Sequence, residues 1–252
     1  MPSTTPTIAP AHPLILTRLY HRWIPRLAKE PTSTLMLITP GNRFLDLRFS
    51  RSSAAPPLLL HGTSGQYIRT ATSGLRAYSV DTLCGQPQNQ LHSLLMQENG
   101  DLLESGVLCD PSDGAEKRYE AAWRLCEATP RIAVVMLLRG RGGDVVGVIV
   151  RVGGWCQGLL AEAGDVTAER WVRAEDGQRQ WARVLKAGNG WLPCAAACLD
   201  RDESRDAGVW QGGRYWKEAA GLGFVLEKVV GVGDRVCAGD GREWEVIERS
   251  QW

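Results

Sequence analysis

The sequence predicts a mostly β protein with minor helix, built from two small barrel-like halves. Three observations carry this. Apolar residues recur in short, strand-length runs, several with a period of two. Clusters of Gly, Asp and Asn separate these runs at short intervals, as in sandwiches and barrels. Strand and helix patterns do not alternate regularly, which argues against a doubly wound fold.

Thr32–Thr39 is an apolar run, Pro40-Gly41-Asn42 is turn chemistry, and Arg43–Phe49 alternates, so the three predict a hairpin. Glu98-Asn99-Gly100-Asp101 is a second turn, between His92–Gln97 and Leu102–Cys109. Pro111–Gly114 is a third, and Ala115–Glu127 reads as the main helix of the first half. A domain boundary is expected near Ala128-Thr-Pro130, giving a tail over 1–12, a first barrel over 13–129 and a second over 130–252.

In the second half, Ile132–Leu138 is a buried strand, Arg139–Asp144 turns the chain, and Val145–Val152 follows. There Val146, Val148, Val150 and Val152 share one face, and Ile149 and Arg151 the other. Val166–Arg173 is expected to pair with Gln178–Lys186 around Glu175-Asp176-Gly177, and Arg235–Cys237 with Glu243–Glu248. Leu199–Gly213 reads as a loop, with a helical turn near Tyr215–Ala220.

Composition narrows the function. Apolar residues make up 44% of the 252, enough for a core. The net charge of +1 gives no footprint for nucleic acid or an anionic membrane surface. No apolar run approaches the ~20 residues that span a bilayer, and the N-terminus does not read as a secretory signal. The seven cysteines, odd in number and scattered, are expected as reduced thiols in a cytoplasmic or nuclear setting.

Motifs of hydrolases, oxidoreductases and kinases are missing. Cys194-Ala-Ala-Ala-Cys198 has no second Cys or His pair at zinc spacing, so no metal is expected, and buried thiols on a small-residue strand are the simpler reading. Arg139-Gly-Arg-Gly-Gly-Asp144 reads as a hairpin turn, because no helix follows it to hold a phosphate. His61-Gly-Thr-Ser-Gly65 lacks the spacing of a nucleophile elbow and reads as a strand-end turn.

Ten tryptophans against three phenylalanines is the unusual feature. Trp171 and Trp181 fall on adjacent strands beside Arg183. Indole beside guanidinium suits a planar, polarised ligand; cation–π ladders on a sheet face are the other reading. Gly153-Gly154 interrupts the valine ladder, and Trp155 and Gln157 stand just beyond it. If the strand stays regular, Arg151, Trp155 and Gln157 share a side. That makes Arg151 and Gln157 the candidate catalytic donors, with Trp155, Trp171, Trp181 and Arg183 as the substrate-binding set.

Val148-Ile-Val-Arg-Val-Gly-Gly-Trp-Cys-Gln-Gly-Leu-Leu160, Val166-Thr-Ala-Glu-Arg-Trp171, Gly233-Asp-Arg-Val236 and Gly241-Arg-Glu-Trp-Glu-Val-Ile-Glu248 resemble the fungal Hri family. Glu30–Pro40, Arg43–Arg48 and Tyr119–Arg124 agree more loosely. The resemblance implies two consecutive lipocalin-like antiparallel barrels and no established catalytic residues. The family is named for interaction with a yeast casein kinase I, so a protein kinase is one implied partner. Two functions are therefore expected in competition. One is a cofactor-independent enzyme that binds an apolar oxygenated metabolite and guides cyclisation, Diels–Alder-type cycloaddition or isomerisation. The other is a non-catalytic interaction module.

Overall fold

The computed structural model describes residues 13–51, 57–83, 89–110, 113–174, 180–199, 230–238 and 240–252. The expected tail over 1–12, the Glu175–Gly177 turn, the 200–213 part of the expected loop and the turn near Tyr215–Ala220 lie outside the described residues. The chain divides into two compact units between Ala128 and Thr129.

The first unit is a closed antiparallel barrel of eight strands in sequence order. They are β1 (Leu14–Trp23), β2 (Thr32–Ile38), β3 (Arg43–Ser50), β4 (Leu59–Arg69), β5 (Ser73–Asp81), β6 (Gln90–Met96), β7 (Leu102–Cys109) and β8 (Glu116–Cys126). The expected hairpin forms between β2 and β3, with Asn42 in the left-handed region at φ 62°. Asn tolerates that conformation because its short side chain bonds locally. Gly100, at φ 82°, turns β6 into β7.

Two expectations fail here. Ala115–Glu127 is not a helix: it contains β8, which pairs with both β7 and β1 and so closes the barrel. Ala and Glu favour helix intrinsically, but Tyr119, Ala121 and Trp123 alternate onto one buried face, and that packing overrides propensity. His61–Gly65 is not a strand end, because it runs through the middle of β4.

The second unit is a seven-stranded antiparallel sheet. Its strands are β9 (Ile132–Arg139), β10 (Val145–Val152), β11 (Trp155–Glu162), β12 (Asp165–Arg173), β13 (Trp181–Ala187), β14 (Arg235–Cys237) and β15 (Glu243–Gln251). Their order is β13-β12-β11-β10-β9-β15-β14. The expected β12–β13 and β14–β15 pairings form. Arg139–Asp144 is the β9–β10 hairpin turn, with Gly143 at φ 85°.

Cys194–Cys198 is a short helix, α1, rather than a strand. Its five residues are all buried, and it packs with Met136, Ile149, Leu160 and Trp244 in one apolar cluster. Gly158 makes the close approach possible: a Cβ there would sit 2.5 Å from Cys194 Sγ. The six described cysteines form no disulfide with one another.

Candidate functional site

Of the residues singled out from the sequence, Arg151, Gln157, Trp171 and Trp181 are buried, Trp155 is half-buried and Arg183 is exposed, and they do not form one site. β10 and β11 pair with Arg151 opposite Cys156 and Val150 opposite Gln157. Gly153-Gly154 is thus a hairpin turn, and alternation puts Arg151 on the face opposite Gln157 and Trp155. The expectation that these three share a side is overturned, because a turn replaces the regular strand it assumed.

Arg151 lies on the α1 face. Its Nε donates to Gly153 O at 3.1 Å, and its Nη1 to Ala197 O at 3.0 Å and Leu199 O at 3.4 Å. Its guanidinium also stacks 4.8 Å from the Trp181 ring centre. A cation on the last carbonyls of α1 is a structural cap. On the other face, Gln157 Oε1 accepts from Arg170 Nε at 2.9 Å. Trp171 Nε1 donates to Glu169 Oε2 at 2.8 Å, Arg183 lies 5.7 Å over the Trp171 ring, and Arg183 also pairs with Glu169 at 3.1 Å. Trp155 is half-buried at the hairpin end, opposite Val172. The structure does join Trp171 to Arg183 and Trp181 to Arg151, as cation–π ladders.

The denser constellation is the lumen of the first barrel. Inward-facing residues arrange in layers along its axis. An apolar floor holds Leu14, Leu16, Met36, Ile38, Phe44, Leu102 and Trp123. Above it lie Arg18, Asp46, Arg76 and Glu104, each at most 6% exposed. At the far end, His21, Trp23, Arg48 and Tyr78 are half-buried and form a rim. His21 stacks on Tyr119 with centres 5.6 Å apart and meets Trp23 edge-on at 5.0 Å.

Charge in this lumen is matched pair by pair. Arg18 Nε meets Glu30 at 2.6 Å, Arg48 Nη2 meets Asp46 at 2.9 Å, and Arg76 Nη2 meets Glu104 at 2.5 Å. The Arg76–Glu104 pair is bidentate, with Nη1 to Oε1 at 3.0 Å. Tyr119 donates to Glu104 Oε1 at 2.6 Å and accepts from Gln90 Nε2 at 2.6 Å. Gln90 Oε1 in turn accepts from Arg76 and from Tyr78. Gly74 leaves room for this layer, since a Cβ there would lie 2.2 Å from His92 Nε2.

These contacts set the protonation states. Burial alone would push the Glu104 carboxyl up, but the Arg76 guanidinium overrides it and holds the group at about 2. Burial opposes charge on Asp46 too, and Arg48, Arg18 and Arg76 together hold it low. Burial lowers His21 to about 4, helped by Arg18 and Arg48, and lowers His92 to about 4, helped by Arg76. Burial raises Tyr67 to about 12, and burial with the Glu104 charge raises Tyr119. At neutral pH the lumen therefore holds ionised carboxylates, neutral imidazoles and protonated phenols.

Three lumen side chains keep a buried atom without a partner: Asp46 Oδ1, Arg76 Nε and Trp123 Nε1. Each residue is 2% exposed or less. Leaving one such group unsatisfied costs about 1–3 kcal/mol. Sequence reading missed this site, although alternation in Phe44, Asp46, Arg48 and in Leu102, Glu104, Gly106 could have revealed it.

A closed eight-stranded barrel with a charge-matched lumen and a second antiparallel sheet define a two-unit, almost all-β protein. The chain belongs to the HRI1 family: the profile of the family described as Protein HRI1 matches residues 14–219. No relative is found among curated proteins. The fold is similar to the crystal structure of the uncharacterised protein YLR301w from Saccharomyces cerevisiae, with a TM-score of 0.67 and 15% identity. That likeness covers 94% of this chain and 99% of the yeast chain.

Proposed function

We propose that the first barrel is a cofactor-independent binding and reaction chamber for an apolar oxygenated metabolite. The carrying observation is that three unpartnered buried polar atoms line one lumen. Native proteins partner nearly all such atoms, through their own groups, ordered water or a ligand. Eight-stranded barrels are wide enough inside to hold one small ligand.

The protonation states favour a particular kind of chemistry. Each lumen carboxylate and imidazole described above is held low, and the phenols are held high. Such groups transfer protons poorly at neutral pH. They do orient a substrate and steady charge that develops on a carbonyl oxygen, with Arg76 Nε–H and Trp123 Nε1–H as donors. Cyclisation, cycloaddition and isomerisation need little more.

Incubating the full chain in buffer with a panel of cyclisable hydroxy-ketones tests this by product analysis. Conversion is expected, and its loss in Trp123→Phe with the circular dichroism unchanged. Absence of both binding and conversion across the panel would refute it.

One observation favours the interaction-module reading. On the outer barrel face, Ile68 pairs with Leu75 and Leu75 with Leu91, and Ile68 and Leu91 are 47% and 68% exposed. Stable capture of a casein kinase I, lost in Leu91→Ser, would support it.

A further inference from the structure

Resting on the lumen as a binding site, we infer that its ligand is an uncharged hydroxy-carbonyl compound, with its hydroxyl on Asp46 and its carbonyl oxygen on Arg76 and Trp123. The unpartnered atoms define the complement. Asp46 Oδ1 can only accept, and Arg76 Nε and Trp123 Nε1 can only donate. His92 is already engaged, by the Tyr67 hydroxyl at 3.2 Å from its Nε2 and by the Gln90 backbone. The ligand therefore offers a hydrogen-bond donor at one point and an acceptor oxygen at another.

Charge matching sets the second condition. Arg18, Arg48 and Arg76 are each paired with a carboxylate, so the enclosed layer is neutral as it stands. A carboxylate ligand would add a buried negative charge beside Asp46 and Glu104 with no cation left over. An ammonium ligand would lie against three guanidinium groups. Either leaves a desolvated charge uncompensated, which is strongly unfavourable. The aromatic surroundings complete the description: the Arg18 and Arg76 guanidinium carbons lie 5.9 and 6.0 Å from the Trp123 ring centre. Arg76 also lies 5.8 Å from the Tyr67 ring centre. The ligand's polar groups are thus read beside rings that suit a planar apolar body.

Calorimetric titration of the full chain at neutral pH with three matched probes tests this. The probes are para-hydroxyacetophenone, acetophenone and para-hydroxybenzoate. The first is expected to bind about tenfold or more tightly than either of the others, the ratio that one good hydrogen bond to a charged group supplies. Asp46→Asn should erase the preference for the hydroxyl. Because that change also disturbs Arg48, Trp123→Phe provides a second test: it alters no charge, and it should weaken both ketones several-fold. Tighter binding of para-hydroxybenzoate, weakened by Trp123→Phe, would overturn the uncharged class while leaving the chamber reading intact. If no probe binds, both fall, and ordered water serves the three atoms.

Discussion

Arg76 in the first unit and Arg151 in the second are both fully buried guanidinium groups on strands, yet their donors are spent differently. Arg151 sends its Nε and Nη1 to backbone carbonyls of the Gly153 turn and the end of α1, and its face to Trp181. Arg76 meets a carboxylate and an amide, and its Nε keeps no partner. The first arrangement pins a helix to a sheet. The second leaves a buried donor unpartnered in the same lumen as Asp46 Oδ1 and Trp123 Nε1. Trp244 in the second unit also keeps an unpartnered indole N–H, but its ring packs over Gly147, where a Cβ would come within 2.5 Å. Burial of charge does not distinguish the two arginines; the unpartnered atoms that share a lumen with Arg76 do.

The largest effect that sharpens this contrast is expected from Glu104→Leu. It leaves Arg76 buried without its carboxylate and should lower unfolding free energy by about 3–5 kcal/mol in urea titrations. Adding Arg76→Met should recover most of that loss, because a paired apolar replacement removes both desolvated charges. If the double variant is as unstable as the single one, the loss does not come from the uncompensated Arg76 charge.

Arg151→Met is expected to cost about 1–3 kcal/mol, through the Gly153 and Ala197 carbonyls whose side-chain donor it removes. It should not change the affinity of a lumen ligand. An affinity change would break the division of labour between the two units.

Acid offers a third comparison. His21 and His92 titrate at about 4 in the fold, against 6.5 when unperturbed. Between those values the unfolded chain binds the extra protons, so stability is complete above about 6.5 and falls as pH drops toward 4. The slope should correspond to about two protons, measured as unfolding free energy against pH. Below that window, protonation of Glu104, held at about 2, adds a further loss. A flat profile from neutrality to pH 4 would contradict the buried neutral imidazoles.

The smallest effect is expected at Arg183. Its side chain is 30% exposed, and its pairing with Glu169 and the Trp171 ring should be worth about 1 kcal/mol or less. Arg183→Ala should also leave the affinity of a lumen ligand unchanged.

Much of the fold is legible in the sequence, because turns announce themselves: Asn42, Gly100 and Gly143 sit at positive φ where the chain reverses. The first barrel is harder to read than the second sheet. Its inward positions carry Arg18, Asp46, Arg76 and Glu104, so apolar-in, polar-out alternation breaks where the lumen is most polar. β8 hides for a related reason: alanines and glutamates that favour helix are overruled by pairing on both sides. The Trp171–Arg183 and Trp181–Arg151 neighbours are visible in the sequence as indoles among arginines. What pattern alone does not reveal is that Gly153-Gly154 reverses the strand, which separates Arg151 from Gln157.

The claim that function resides in the barrel lumen is tested most directly by following the indole N–H resonances of the ten tryptophans during titration with para-hydroxyacetophenone. The Trp123 signal should shift saturably downfield as its N–H gains a partner, while those of Trp171 and Trp181 stay in place. Movement of Trp171 or Trp181 with Trp123 unchanged would contradict the account and return the site to the second sheet.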